Sequence, residues 1–370
     1  MEELEGELRI WLNDALPAWQ AQWGADQETW DAKCDWQRRM ADGRWAIASW
    51  PVEFGGRGLG TLEVLAIEDV VASYGAPQIP GMIGLKNVAP TLMKFGNEEQ
   101  RKHVARIGNT DEVWCQGFSE PGAGSDLASL RTRAVIDGDE FVINGQKVWT
   151  SNGMHASHMQ LLARTDADAP KHKGISAIIV PMDTPGVEVR PIKQINGGAE
   201  FAEVFFTDAR VPLANLIGPL HDGWGVTMTT LGHERAGVAV FAGRLEARIR
   251  SLIEEVSKSD HAVSPVVADE LVEHYVESRV LGSMGRAMLA KIAEGGTPGS
   301  EQSVIKMVWS ELSQRVDTTI MELAGVAGVT GDDNDAKLGY LSARSATIAA
   351  GTSDIVKNII GDRVLGLPRE

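Results

Sequence analysis

The chain predicts an α–β–α architecture: a helical first third, a strand-built centre and a helical last third. Three changes of hydrophobic period carry this expectation. From Glu3 to about Gly108 apolar residues recur at helical spacing, as at Leu62, Leu65, Ala66 and Val70. The centre changes to short apolar runs such as Ala134-Val135-Ile136 and Phe141-Val142-Ile143, separated by turn residues. From about Asp222 the helical spacing returns. At 370 residues the chain exceeds one typical hydrophobic core, so two or three packed units are expected.

In order along the chain, Pro51, Gly55-Gly56, Gly75-Ala76-Pro77 and Pro80-Gly81 punctuate the first helices. Asp137-Gly138-Asp139-Glu140 joins the two central apolar runs as a hairpin, and Asn144-Gly145 suggests a second tight turn. Further strands are expected over Gly174 to Met182, Val187 to Ile192 and Phe201 to Val211. In the last third, two stripes repeat every four residues: Val272, Val276, Val280, Met284 and Met288, then Val304, Val308, Leu312, Val316 and Ile320. Both are expected to be helix–helix packing faces. Gly295 to Ser300 is an inter-helix loop.

Composition excludes several classes. Hydrophobic residues at 43% and charged at 23% are ordinary globular values. No apolar run reaches the roughly 18 residues that a spanning helix needs. The opening MEELEGELRI lacks the basic and apolar blocks of a signal peptide. Cys34 and Cys115 are too few for a disulfide framework or a zinc site, so no metal is expected and a reduced, cytoplasmic setting is. A net charge of −16 argues against nucleic acid as a partner, while leaving room for an anionic ligand held by local donors.

Four segments stand out chemically. Ser119-Glu120-Pro121-Gly122-Ala123-Gly124-Ser125-Asp126 leaves the backbone nearly bare, so its N–H groups can approach a phosphate or a flat ring; an ordinary glycine turn is the alternative. It is no nucleotide P-loop, because no Lys-Ser/Thr pair follows Gly124. Gly55 to Gly60 imitates a dinucleotide fingerprint, but Pro51-Val52-Glu53-Phe54 before it is a poor buried strand. Trp149, beside Thr150-Ser151, offers a stacking plane next to hydroxyls or else a core indole. His233-Glu234-Arg235 carries a carboxylate on a helix, which by itself suits a surface as well as a site.

WCQGFSEPGAGSD, NGQKVWTSNG, FAEVFFTDARVP and AAGTSDIVKNIIGDRVLG, in that order, resemble the flavin-dependent acyl-CoA dehydrogenases. The likeness runs from about Trp11 to the C-terminus and includes PVEFGGRGLG. It implies an acyl-CoA dehydrogenase-like fold: an N-terminal all-α domain (residues 1–112), a central antiparallel β domain (113–218) and a C-terminal four-helix bundle (219–370). FAD is implied as cofactor and an acyl-CoA thioester as substrate. Gln116 to Ser125 would line the flavin, with Phe118 and Ser119 near the reactive edge of the ring. Gly124 belongs to that lining, and Ser125 would lie toward the phosphates and the thioester's pantetheine. Trp149, Thr150 and Ser151 match the segment beside the ring, and Thr352 and Asp354 match a second flavin loop. An electron-transferring flavoprotein is the implied acceptor.

Many members place a catalytic Glu just before the Gly-Thr of the C-terminal loop, where this chain has Ala350. In the isovaleryl and long-chain branches the base instead precedes an Arg on a helix, and Glu234-Arg235 fits that pattern. Glu234 is therefore the expected base, with Arg235 on the helix terminus or the substrate side. Ala349 and Ala350, both small, would open volume for a branched or ring-bearing acyl group. Typical homotetramers also carry an Arg-x-x-Phe-Gly segment and a later Gln that reach a neighbour's FAD. Here the corresponding stretches read SKSDHAVSPVVADE and MELAGVAGV, with Glu322 near the Gln position. A carboxylate near a pyrophosphate repels it. This pattern resembles the actinobacterial steroid side-chain dehydrogenases, in which two related chains form an α2β2 tetramer, and implies such a partner. The alternatives are an isovaleryl-like or long-chain homotetramer, an oxidase on the same fold, and a non-catalytic subunit.

Overall fold

The computed structural model describes residues 1–234, 237–258, 263–296, 299–330 and 335–368, with the backbone alone for residues 229–234 and 237–240. Its contacts divide the chain into two units, Met1–Lys193 with Ala199–Glu234, and Gln194–Gly198 with the residues from 235 onward.

In the first unit, helices α1 (Glu2–Trp23), α2 (Trp30–Asp42), α3 (Thr61–Ser73), α4 (Ala89–Phe95) and α5 (Glu98–Gly108) fill the expected helical third. Side chains set their ends: Thr29 caps α2 through Ala32 N–H, and Asn97 with Gln100 forms a reciprocal capping box on α5. Leu8, Leu12, Leu16 and Trp19 of α1 pack against Ala32, Trp36 and Met40 of α2. Arg57 lies 3.6 Å over the Trp45 ring and is paired with Glu7. The glycines around it thus belong to a packed turn, and the helical Val52–Phe54 precedes them instead of a strand.

The centre is an eight-stranded sheet: β1 (Trp114–Gly117), β2 (Arg133–Asp137), β3 (Glu140–Ser151), β4 (His158–Arg164), β5 (Ile175–Pro181), β6 (Val187–Ile192), β7 (Phe201–Pro212) and β8 (Leu216–Ile217). The order is β6-β7-β3-β2-β4-β5-β8, with β1 added on β4. Most pairs are antiparallel; β1 and β2 run parallel to β4. The β2–β3 hairpin turns where expected, with Asp137 opposite Glu140. The second turn at Asn144-Gly145 does not form. Instead β3 runs through it with a bulge, Asn144 bonding Asp208, and Gly145 takes a φ of 151° hard against Thr132. One face of the sheet packs Leu162, Ala177 and Ile179 against α4 and α5, and the other buries Phe141, Ile143, Met159 and Val204.

Between α5 and β1 stands Glu112, whose oxygens meet His103 Nδ1 at 2.7 Å, Arg106 at 3.0 Å and the Trp114 indole N–H at 3.0 Å. His158 Nδ1 stands 3.9 Å away. This His–Glu–His group has metal-like composition, but the carboxylate's acceptor sites are already taken by donors and a guanidinium shares it. Burial pushes Glu112 up, yet the bonds from His103, Arg106 and Trp114 outweigh it and bring the carboxyl down to about 2. Its contribution to stability is present above its unfolded value of 4.5 and fades as pH falls toward 2. Glu112→Gln is therefore expected to lower Tm at pH 7, and the difference from wild type to shrink steadily below pH 4.5 in thermal melts. A gap that stays constant with pH would contradict the account.

Helix α6 (Gly223–Glu234) closes the first unit, packing on β5 and α4. The second unit holds α7 (Gly237–Lys258), α8 (Pro265–Ala293) and α9 (Glu301–Thr330), with α10 (Asp335–Ala343) and α11 (Ser353–Ile359) on α9. Its core includes Leu245, Ile249, Leu281, Met288, Ile305, Leu312 and Val316. Among the described residues no helix is long and apolar enough to cross a membrane.

One stripe departs from expectation. Met288 is buried, but Val272, Val276 and Val280 are each more than half exposed, and the inward face of α8 is Leu271, His274, Ser278, Leu281 and Gly285. Each four-residue step drifts by about 40° around the helix, and on α8 the three valines fall away from the inward face, whereas the similarly spaced row on α9 keeps Leu312 and Val316 in the core.

Candidate active site

The glycine-rich loop begins where β1 ends. Glu120 and Ala123 close a tight turn on each other, Glu120 N–H to Ala123 O at 3.1 Å and Ala123 N–H to Glu120 O at 3.0 Å. Around Gly122 and Gly124 nothing lies within 4 Å of where a Cβ would stand, so one side of the backbone is open to approach. Gly124 and Ser125 are exposed, and Phe118 and Ser119 half-buried.

This loop and the Trp149 segment meet. Val148 N–H donates to Ser119 O at 2.9 Å, next to a register shift between Lys147 and Thr150 that throws Trp149 outward. Trp149 takes a φ of 60°, is 57% exposed, and meets only an edge-to-face contact from Phe201 at 5.9 Å. Such an indole is a free stacking plane and not a core residue. Thr150 is fully buried with its Oγ1 unpartnered, and Gln116 Nε2 is likewise buried without a partner. Ser151 is half-buried beside them. Buried polar atoms left over in this way call for a ligand or water. An exposed indole, open glycine backbone and spare donors fit a flat, polar-edged ring such as a flavin.

In the second unit, Ala349 and Ala350 are exposed, and Ala350 has a φ of 53°, followed by Gly351 at 98°. Thr352 caps α11, its Oγ1 accepting from Ile355 N–H at 3.3 Å, and Asp354 stands exposed in that helix's first turn. Lys306 of α9 straps the loop, donating to Ala346 O at 3.2 Å and Gly351 O at 2.5 Å, and Gln314 reaches Thr347 Oγ1 at 2.8 Å. Glu322 is exposed on α9 just before Gly325, where the helix breaks.

Glu234 is the last residue of α6; its side chain lies outside the described residues, as does Arg235. The structure thus brings together Gln116, Phe118, Ser119, Trp149, Thr150 and Ser151, continues from that loop to Gly124 and Ser125, and carries Ala349, Ala350, Thr352 and Asp354 in the other unit.

Sequence reasoning missed the supports beneath these residues. Lys147 is fully buried, its Nζ 2.8 Å from Glu120 Oε1 and 3.0 Å from Phe118 O. A faint signal exists, since counting by twos along the strand from Phe141 and Ile143 reaches Lys147. Gln160 also went unnoticed: it sits opposite Gln116 in register, fully buried, with both amide atoms unpartnered.

Comparison with known proteins covers the whole chain. The N-terminal, middle and C-terminal domain profiles of acyl-CoA dehydrogenases match residues 1–106, 115–209 and 221–365. The acyl-CoA dehydrogenase IpdE1 of Mycobacterium tuberculosis is 38% identical, over 100% of this chain and 98% of its own. Among solved structures, the Tcur3481–Tcur3483 steroid ACAD superposes with a TM-score of 0.85 at 31% identity, over 100% of this chain and 98% of that one. The ChsE4–ChsE5 complex from Mycobacterium tuberculosis gives 0.82 at 30%, with the same coverage.

Proposed function

This chain belongs to the acyl-CoA dehydrogenase family, flavin-dependent oxidoreductases acting on a CH–CH bond, and we propose that it oxidises a bulky or branched acyl-CoA thioester to the trans-2-enoyl-CoA, with FAD as cofactor and Glu234 as base. A steroid side-chain CoA ester is the leading substrate class. The observation that carries this reading is the pairing of Ala350, which removes the common base position, with a carboxylate at the end of α6. The small, exposed Ala349 and Ala350 support the bulk of the acyl group, and the steroid ACAD among the relatives supports its class.

Removing an α-proton requires a carboxylate close to the carbon and a polarised thioester carbonyl, since the unpolarised proton is too weakly acidic. FAD, when bound, supplies the acceptor for the β-hydrogen as hydride. Glu234 takes the α-proton on its carboxylate, with Arg235 on the helix terminus or the substrate side. Trp149, Thr150 and Ser151 would lie beside the ring, with Gln116, Phe118 and Ser119 lining it and Phe118 and Ser119 near its reactive edge. Thr352 and Asp354 would form the second flavin contact, Gly124 would line the flavin, and Ser125 would lie toward the phosphates and the thioester. The domain borders are set at 112/113 and 218/219, supported by the gaps between α5 and β1 and between β8 and α6.

The chain works as the catalytic half of an α2β2 tetramer with a related subunit, passing electrons to an electron-transferring flavoprotein in the cytoplasm. Support for the partner comes from Glu322 standing exposed where a neighbour's FAD would need a neutral donor, and from the open valine face of α8. Purifying the chain alone and measuring FAD content and mass tests this. A colourless or insoluble chain that gains flavin only with a related second chain is the expected result. A yellow homotetramer with one FAD per chain would instead favour a self-sufficient, isovaleryl-like enzyme.

A further inference from the structure

We propose that the buried Lys147–Glu120 ion pair is the positioning strut of the flavin site, holding Phe118 and Ser119 in the orientation that meets the ring's reactive edge. This deepens the reading above and rests on it. Lys147 lies on β3, Glu120 in the loop after β1, and the pair joins the two segments that would contact the ring. The Lys147 ammonium holds the Phe118 carbonyl, and the next backbone group along, Val148 N–H, holds the Ser119 carbonyl. Both carbonyls are therefore tied to β3. Glu120 is anchored in turn by Arg131 N–H at 2.7 Å and Thr132 N–H at 2.8 Å. The Phe118 carbonyl and the Glu120 carboxylate thus both converge on the Lys147 ammonium, which ties the start of the loop to β3.

A buried charge pair is a poor way to gain stability, because desolvation offsets the attraction. Its persistence under an open ligand loop points to orientation as its function. Burial drives Lys147 down to about 8, against the pull of Glu120, while Glu120 itself is held below the usual carboxylate range by Lys147, Thr132 and Arg131. Both are charged at neutral pH. Arg164, which also feels Glu120, is the other charged group facing the pair. Since the folded value of Lys147 is depressed, stability at this group rises with pH above 8. Weakened flavin binding above that pH cannot then be blamed on unfolding at Lys147.

Lys147→Met alone strands a buried carboxylate and would confuse folding with positioning. The informative variant is Lys147→Met with Glu120→Gln, which removes both charges together, studied with the partner chain if flavin uptake needs it. Expected are a cooperative melt at a lowered Tm, an FAD Kd raised at least tenfold, and a shifted visible spectrum of the bound flavin. The Tm falls because the new amide turns its NH2 toward one of the two backbone N–H groups that Glu120 accepts from. Wild type should also lose flavin affinity between pH 7 and 9.5 with no matching fall in apoprotein Tm. If wild type binds FAD and the double variant matches it in Kd and spectrum, the strut is refuted while the functional reading stands. If the double variant fails to fold, a flat pH profile of wild-type affinity refutes the strut by itself. A wild-type complex that takes up no flavin overturns the functional reading and the strut with it.

Discussion

Glu234→Gln is expected to slow reduction of the bound flavin by acyl-CoA by about 10²–10⁴-fold, the usual worth of a positioned general base, while FAD stays bound. Gln keeps the shape of Glu and loses only the capacity to accept a proton. The position before Gly351, which carries the base in many members of the family, is Ala350 and cannot take over. Stopped-flow reduction under anaerobic conditions reads the rate directly, and the visible spectrum reports FAD occupancy in the same sample. Unaltered reduction would remove Glu234 as the base and revive the non-catalytic reading.

Gly223→Ala should hurt both the fold and the rate. Gly223 opens α6, and a Cβ there would stand 2.5 Å from the Ser176 carbonyl carbon and 2.6 Å from Ala177 N–H, in the buried backbone of β5. Neither wall can give way cheaply, because Ser176 and Ala177 are fully buried in paired strand. The helix must therefore move. Overpacking of this kind costs about 1–3 kcal/mol, and about 2–4 °C in Tm follows per kcal/mol for a unit this size. Displacing α6 also displaces its last residue, Glu234, and a base misplaced by about 1 Å loses up to 10²-fold in rate. Thermal melts and reduction kinetics check the two halves. A variant with wild-type Tm would mean that β5 yields after all.

How much of this was legible in the sequence depended on the kind of signal. Strands β6 and β7 announced themselves by short apolar runs between Pro and Gly, and β2–β3 by its turn. Strand β4, with Met159 to Ala163 all buried, has no alternation to read, since both its faces are covered. The Asn144-Gly145 pair supplied true turn chemistry, but tertiary pairing with β7 used it as a bulge. On α8 the row beginning at Val272 looked like a core face because its apolar residues recur regularly, while the inward positions include His274, Ser278 and Gly285, which a sequence does not mark as core. In the site, the glycine loop and Trp149 were visible as motifs, whereas Lys147, Gln160 and Lys306 were not. A lysine in sequence reads as solvent-facing; only the fold reveals that two of them are clamped to carbonyls beneath the loops.

Trp149 has one more consequence. Of the chain's 11 tryptophans, it alone is more than half exposed among the described residues, and those of the N-terminal cluster, Trp19, Trp36 and Trp45, are buried. Its emission should therefore occupy the long-wavelength edge of the fluorescence spectrum, where a soluble quencher such as iodide reaches it first. The protein carries its own optical reporter on the face where the ring would stack. Darkening of that red edge, with the buried indoles less affected, would register arrival of the cofactor without any label.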